Sequence, residues 1–420
     1  MPPTSPAAAT PQADDERWVG TWAAAPATAP TSAIPVLRDE TVRQVVHTSI
    51  GGDRLRLRLT NESGRTALRV GEVRVALRAG SSGTDTDPAT DRQVTFGGSA
   101  SATLPAGTPL LSDPVPLELP ARSDLVVSMY LPEETPVTTL HPFSTQENAV
   151  AAGNVTGDKA VEAVLAPAQW YLLSGVSVRT RGGDAGALVA LGDSITDGFQ
   201  TEVNANHRWP DLLAPRLPHT GVLNAGISGN RLLHDPNPPA GGMAEYFAPF
   251  FGQSALRRFD RDVLAHPGVR HVIVLLGTND LGHPGTMAPV SETVTAEEII
   301  GAHRQIIARA RTAGLRVYGG TILPFTTDSP EIDDKRQVVN AWIRTGGEYD
   351  AVIDFDAVMG DPADPLRLNP AYDSGDGLHP NDAGMAAMAD AVPAGLFRPQ
   401  RQGAFATISG ETTTSSLSNS

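Results

Sequence analysis

No cysteine occurs among the 420 residues. That one absence excludes disulfides, thiolate metal sites and cysteine nucleophiles together, and it leaves the compartment open, because exported proteins also do without disulfides. Aromatic residues make up only 5%. The amino-terminal half holds few of them (Trp18, Trp22, Phe96, Tyr130, Phe143, Trp170 and Tyr171), which argues against a sugar-stacking platform. Positive charge is also scarce: 32 Lys and Arg stand against 47 Asp and Glu, for a net charge of −15. Such a chain repels phosphate backbones and carries no basic patch, so no nucleic-acid partner is expected. No apolar run approaches the ~18 residues that cross a bilayer, so no membrane span is expected. Stretches such as Val272–Leu276 are the longest. The ten histidines include no H-x-x-x-H or H-E-x-x-H arrangement, so no metal site is expected. His234-Asp235 reads as an exposed loop pair. A G-x-S-x-G nucleophile elbow is missing as well, which excludes the general α/β-hydrolase pattern.

What is present is ordinary for a soluble globular chain, 40% hydrophobic and 19% charged. The length implies two or three domains at ~100–200 residues each. Residues 1–17, rich in Pro, Ala and Thr, read as a flexible leader, and residues 403–420 as a Ser/Thr-rich disordered tail. Such ends fit export, and an extracellular location is expected. From Trp18 to Arg181 the pattern has period two. Arg54-Leu55-Arg56-Leu57-Arg58-Leu59 alternates strictly, so its leucines share one sheet face. Val73–Leu77, Val115–Leu119 and Leu125–Leu131 continue this theme between polar turns, predicting an all-β sandwich or jelly-roll domain over 18–181.

After Arg181–Asp184, a linker by composition, the period changes. Short apolar runs at Ala187–Leu191, Val222–Leu223, Val272–Leu276, Val317–Leu323 and Ala351–Phe355 alternate with helical spacing. One helix is signalled by Thr295 with Glu298 three residues on, a capping box, and by Gly314 as its stop. Strand–helix alternation with doubly buried strands predicts an α/β domain over 185–398, a three-layer parallel sheet whose ligands bind at the carboxyl ends of the strands.

Four segments at those ends carry chemistry. Ser194, in Gly192-Asp193-Ser194-Ile195, sits where a strand turns into a helix N-terminus, a place that favours developing negative charge. Gly229 lets the backbone approach a bound oxygen. Asn279, in Gly277-Thr278-Asn279-Asp280, carries an amide N–H₂ that suits an oxyanion. Asp376 stands three residues before His379, a spacing that lets its carboxylate accept the Nδ1 proton and leave Nε2 as a base. Each segment alone has a bland reading: an N-cap serine, a turn glycine, a loop asparagine, a structural histidine. Their co-occurrence in this order outweighs those readings.

In these four blocks the chain resembles the GDSL esterases and lipases, the SGNH hydrolases, with Ile195 where the namesake leucine often stands. Asn206-His207-Arg208-Trp209-Pro210 and Gly229-Asn230-Arg231-Leu232-Leu233 look like the branch that includes xylanase-associated esterases. The resemblance implies a flavodoxin-like sheet, Ser194 as nucleophile, His379 as base and Asp376 as its orienter. It implies an oxyanion hole from the Ser194 and Gly229 N–H groups and the Asn279 side chain, with no cofactor. It covers roughly residues 187–397 and not the amino-terminal half. The expected function is a serine acylhydrolase acting on a small ester or an acylated carbohydrate. The alternatives are a carbohydrate acetylesterase specifically, of the acetyl xylan type, or a non-catalytic glycan-binding protein. Selectivity is expected from His234–Gln253, read as a long structureless connection beside Gly229, whose Tyr246, Phe247, Phe250 and Phe251 are candidates to wall the substrate pocket. The oligomeric state is left open.

Overall fold

The computed structural model describes residues 16–181, 184–327 and 329–398. Nearly all of the expected leader, the whole tail and the middle of the linker lie outside the described residues.

The first half is built from antiparallel strands. One five-stranded sheet joins Glu16–Ala23, Leu173–Arg181, Gly52–Thr60, Pro109–Leu111 and Val115–Leu119. A second joins Ala149–Ala152, Glu40–His47, Asp124–Leu131, Glu72–Leu77 and Arg92–Val94. The alternation of Arg54 to Leu59 acts as expected: Leu55, Leu57 and Leu59 are fully buried, while the arginines between them stay partly exposed.

The second half holds a five-stranded parallel sheet. In chain order its strands are Gly186–Gly192, Thr220–Gly226, Val269–Leu275, Arg316–Gly320 and Ala351–Ile353, and in space they lie 2-1-3-4-5, the flavodoxin-like order. All seven residues of the first strand are buried. Ala187, Val189 and Leu191 pack into one apolar core with Ile299, Ile306 and Val339 of the helices Ala296–Thr312 and Pro330–Thr345. Leu188 and Ala190 point the other way, to Trp209, Phe355, Met385 and Met388. The continuous apolar run thus serves two faces, as a central parallel strand must. The capping box of Thr295 and Glu298 is formed, and Gly314 takes φ of 76° just past the helix end.

The first of these cores does not stop at the sheet. It runs on into the antiparallel half through Val19, Leu55, Leu57 and Val127. Glu16–Ala23 lies against the edge strand Thr220–Gly226. There a Cβ on Gly221 would sit 1.9 Å from the Gly20 carbonyl oxygen, and the Val222 N–H donates to Ser49 Oγ at 2.9 Å.

One expectation is corrected. His234–Gln253 is not structureless: Gly242–Phe247 is helical and Ala248–Phe251 forms a 3₁₀ turn. The prolines and glycines that suggested a loop cluster before Met243, whereas Met-Ala-Glu-Tyr-Phe contains no helix breaker. Pro249 falls in the first turn of the 3₁₀ segment, where its missing N–H costs nothing.

Candidate active site

The first parallel strand delivers Asp193 and Ser194 to the top of the sheet. Asp193 caps a single helical turn, Ser194–Asp197, with its Oδ1 accepting the Ile195 N–H at 3.0 Å. Its other oxygen has no hydrogen-bond partner among the described residues. Burial pushes the Asp193 carboxyl up to about 7, and the nearby Asp280 carboxyl acts in the same direction. Ser194 follows as the first helical residue, 7% exposed.

The loop before the last helix brings the other two residues. Asp373 Oδ1 accepts the N–H groups of Gly375 and Gly377 at 2.9 and 3.0 Å, tightening the turn. Asp376 Oδ1 accepts those of Leu378 and His379 at 2.9 and 2.8 Å. Its Oδ2 lies 2.6 Å from His379 Nδ1, and His379 Nε2 lies 2.9 Å from Ser194 Oγ. With Nδ1–H donating to the carboxylate, Nε2 is left to accept the serine hydroxyl proton. Burial works to raise the Asp376 pKa, but the hydrogen bonds from the His379 backbone and ring prevail and hold it below the usual carboxylate value. The three residues singled out in the sequence therefore form one continuous hydrogen-bonded chain.

Gly229 and Asn279 meet in the adjoining loops. Gly229 has φ of 79°, and a Cβ there would lie 2.1 Å from the Phe251 ring, so both conformation and space demand glycine. Asn279 Nδ2 donates to the carbonyl of the next residue, Asn230, at 3.0 Å. An amide nitrogen carries two hydrogens, so one is left over. The neighbouring Asp280 carboxylate accepts the N–H groups of Leu232 and Leu233 at 2.7 and 2.9 Å, fixing the loop beyond Gly229.

Two positioning residues escaped the sequence reading. Asn230, fully buried, donates to the Phe251 and Gln253 carbonyls at 2.7 and 2.8 Å and accepts from Arg258 Nε at 3.0 Å. Arg258, also fully buried, donates to the carbonyls of Ala225 and Gly192 at 2.8 and 2.9 Å and pairs with Asp262 at 3.1 Å. One guanidinium thus ties two strand ends to the Gly229 loop. The available signal was an arginine on the apolar stretch Ala255-Leu256-Arg257-Arg258-Phe259, which helical spacing places beside Ala255 and Phe259 on the buried side.

The four aromatic candidates part company. Phe251 packs on Gly229 and lies 5.1 Å from the His283 ring. Tyr246, Phe247 and Phe250 form a cluster of edge-on contacts of their own, at 5.0 and 6.1 Å, with Tyr246 42% exposed and Phe250 buried. A ring not foreseen, Phe199, stands 4.9 Å from His379 and 5.2 Å from Phe143 of the antiparallel half.

One group of potential metal ligands, Glu202, His207 and Asp382, brings its ligand atoms within 4.8 Å of one another. His207 Nδ1 and Asp382 Oδ2 already pair at 2.6 Å, and Asp382 Oδ1 accepts the Glu202 N–H at 3.2 Å. These contacts account for the cluster. No helix among the described residues is long and apolar enough to cross a membrane.

Comparison with known proteins bears on the same region. Residues 190–387 match the family described as GDSL-like Lipase/Acylhydrolase. An acetylxylan esterase of Xylanibacter ruminicola is 26% identical over 230 residues, covering 51% of this chain and 43% of that protein. The chain therefore spans less than half the length of this relative. Among solved structures, a carbohydrate acetylesterase of Sinorhizobium meliloti is 16% identical with a TM-score of 0.35, covering 49% of this chain and 96% of the other. The aryl esterase of M. smegmatis, 16% identical, gives a TM-score of 0.37 with coverages of 49% and 96%. The matched region, just under half of the chain, resembles the GDSL-like lipase/acylhydrolase family and takes in the parallel sheet with its flavodoxin-like strand order.

Proposed function

We propose that the protein is a carboxylic ester hydrolase working through an acyl-enzyme, with Ser194, His379 and Asp376 as its triad. The observation that carries this reading is the unbroken chain from Asp376 through His379 to Ser194, at 2.6 and 2.9 Å. As Ser194 Oγ bonds to the ester carbonyl carbon, His379 Nε2 takes its proton and Asp376 keeps the ring oriented. The carbonyl oxygen becomes an oxyanion, received by the Ser194 and Gly229 N–H groups and the uncommitted hydrogen of Asn279 Nδ2. Collapse breaks the ester C–O bond, and the leaving alkoxide takes the proton from Nε2. Water then attacks the acyl-serine, again giving its proton to His379, and the acid departs as Ser194 is reprotonated. No cofactor enters this sequence. A glycan-binding role alone gives no reason for a base paired to a buried hydroxyl.

The antiparallel half reads as a β-sandwich domain over 18–181, packed on the hydrolase domain over 185–398. The substrate reading is a short-chain ester or an acetylated carbohydrate. It is supported by the similarity to an acetylxylan esterase and by rings at both ends of the site, Phe199 at the base and Phe251 at the oxyanion glycine. A p-nitrophenyl ester chain-length series run beside acetylated xylan tests it. The expected result is a steep fall beyond short acyl chains, and turnover of no ester at all would overturn the assignment. In the same assay Phe199→Ala and Phe251→Ala should each shift the acetyl-to-octanoyl ratio of kcat/KM about 10-fold, at ~1–3 kcal/mol per pocket contact. Tyr246→Ala, on the exposed side of the separate cluster, should leave the ratio unchanged. If Phe199 and Phe251 lost only melting temperature, neither would wall the pocket.

The oxyanion role of Asn279 has its own test. Asn279→Ala should lower kcat by about 10²–10³ with little change in KM, because that hydrogen bond strengthens only as charge develops. A change confined to KM would make Asn279 a ground-state binding residue instead.

A further inference from the structure

The antiparallel half reaches the acyl-transfer site through a buried histidine–aspartate pair. His141 and Asp197 are 3% and 2% exposed. His141 Nδ1 lies 2.8 Å from the Ala25 carbonyl oxygen, and Nε2 lies 2.9 Å from Asp197 Oδ1. The carbonyl can only accept, so Nδ1 donates to it, and Nε2 is paired with the Asp197 carboxyl group. The other carboxylate oxygen of Asp197 accepts twice from Ser228, from its N–H at 3.0 Å and its hydroxyl at 2.7 Å. Asp197 ends the single helical turn that Ser194 begins, and Ser228 immediately precedes Gly229. One carboxylate therefore spans from the nucleophile's turn to the oxyanion glycine. Arg208 approaches Asp197 at its backbone carbonyl, 2.8 Å from Nε, whereas His141 Nε2 meets the side chain directly at 2.9 Å.

We infer that His141 is a positioning residue for ester cleavage, contributed by the antiparallel half: it holds the Asp197 carboxylate in the orientation that fixes Ser228 and so aims the Gly229 N–H relative to Ser194. The inference rests on the acyl-enzyme reading above. Without His141, a carboxylate stranded away from water either takes up a proton or turns to find new donors. Each response alters the acceptors offered to Ser228. A displacement of about 1 Å in an oxyanion donor is enough to cost on the order of 10² in rate.

Two amide replacements separate aim from bulk stability. In His141→Gln the side-chain N–H₂ reaches about where imidazole Nε2 lay and still donates to Asp197. In His141→Asn it lies near the former Nδ1, facing Ala25, and Asp197 goes unpaired. Both keep only one of the ring's two buried contacts, so both should melt at a lower temperature. The measurement is kcat and KM on p-nitrophenyl acetate for each folded variant, with Ser194→Ala alongside. His141→Asn should lose about 30–100-fold in kcat with KM changed less than about 3-fold, while His141→Gln should stay within about 5-fold of the parent. Ser228→Ala, which removes a single hydroxyl, covers the case in which His141→Asn does not fold, and its kcat should fall about 3–10-fold with a near-parental melting temperature. Equal kcat losses in the Gln and Asn variants, or an unchanged kcat in His141→Asn or Ser228→Ala, would overturn the positioning role. Activity persisting in Ser194→Ala would instead bring down the acyl-enzyme reading itself.

Discussion

Ser194→Ala is expected to leave a folded protein whose esterase activity is lower by about 10³–10⁶. The serine hydroxyl has one hydrogen-bond partner among the described residues, His379 Nε2 at 2.9 Å. Nothing in the strand-to-helix turn leans on it, because Asp193 supplies the cap through the Ile195 N–H. Alanine is also the best helix former, so the single turn tolerates the change. What goes is the atom that forms the acyl-enzyme bond, and the remaining oxyanion donors give only a background rate. The measurement is kcat/KM on p-nitrophenyl acetate beside a thermal melt. Retention of more than about a tenth of the activity, far above the background expected for a lost nucleophile, would falsify the nucleophile assignment.

Acid is expected to unfold the protein. Burial pushes the imidazoles of His266, His271, His283 and His303 down to about 4. In the unfolded chain each titrates near ~6.5. Between those values the unfolded state binds the proton and the native state refuses it, so stability rises with pH through this window and is lost as pH falls from 6.5 towards 4. Each such histidine contributes a slope of about 1.4 kcal/mol per pH unit. Asp193, raised by burial to about 7, acts in the opposite sense over the same window, and Asp280, also raised by burial, does likewise. The four histidines still outnumber the two carboxyls, leaving roughly 3 kcal/mol per pH unit, a large share of the ~5–15 kcal/mol that holds a typical domain together. Thermal melts at pH 7, 6, 5 and 4.5 check it. The melting temperature should fall steeply below pH 6, and a flat profile would mean that these rings stay hydrated.

The parts of the site legible in the sequence were those whose geometry is local. Asp376 reaches His379 across one turn, and Gly192-Asp193-Ser194 needs only a strand running into a helix, so spacing alone announced both. The five apolar runs of the second half likewise marked all five parallel strands, although Val317–Leu323 and Ala351–Phe355 overran their strands by two or three residues. What stayed hidden depends on distant partners. Arg258 contacts Gly192 sixty-six residues away, and His141 contacts Asp197 across fifty-six. No pattern in either neighbourhood encodes the other. The helix at Gly242–Phe247 was missed for a different reason: the Pro and Gly cluster upstream dominated the reading of a segment whose five residues after Gly242 are helix-compatible.

The close contact at Gly20 and Gly221 bears on how the molecule keeps to itself in a crowded solution. Thr220–Gly226 is the outermost strand of the parallel sheet, and a bare outermost strand is a template on which another chain can add. Here that flank is occupied by Glu16–Ala23, and Ser49 takes up the Val222 N–H. The fit is so tight that a methyl group on Gly221 would collide with the Gly20 carbonyl. A protease that trimmed the chain past Glu16 would therefore do more than shorten it. It would bare a row of backbone groups and the apolar Leu223 beneath them, turning a covered flank into a seed for precipitation.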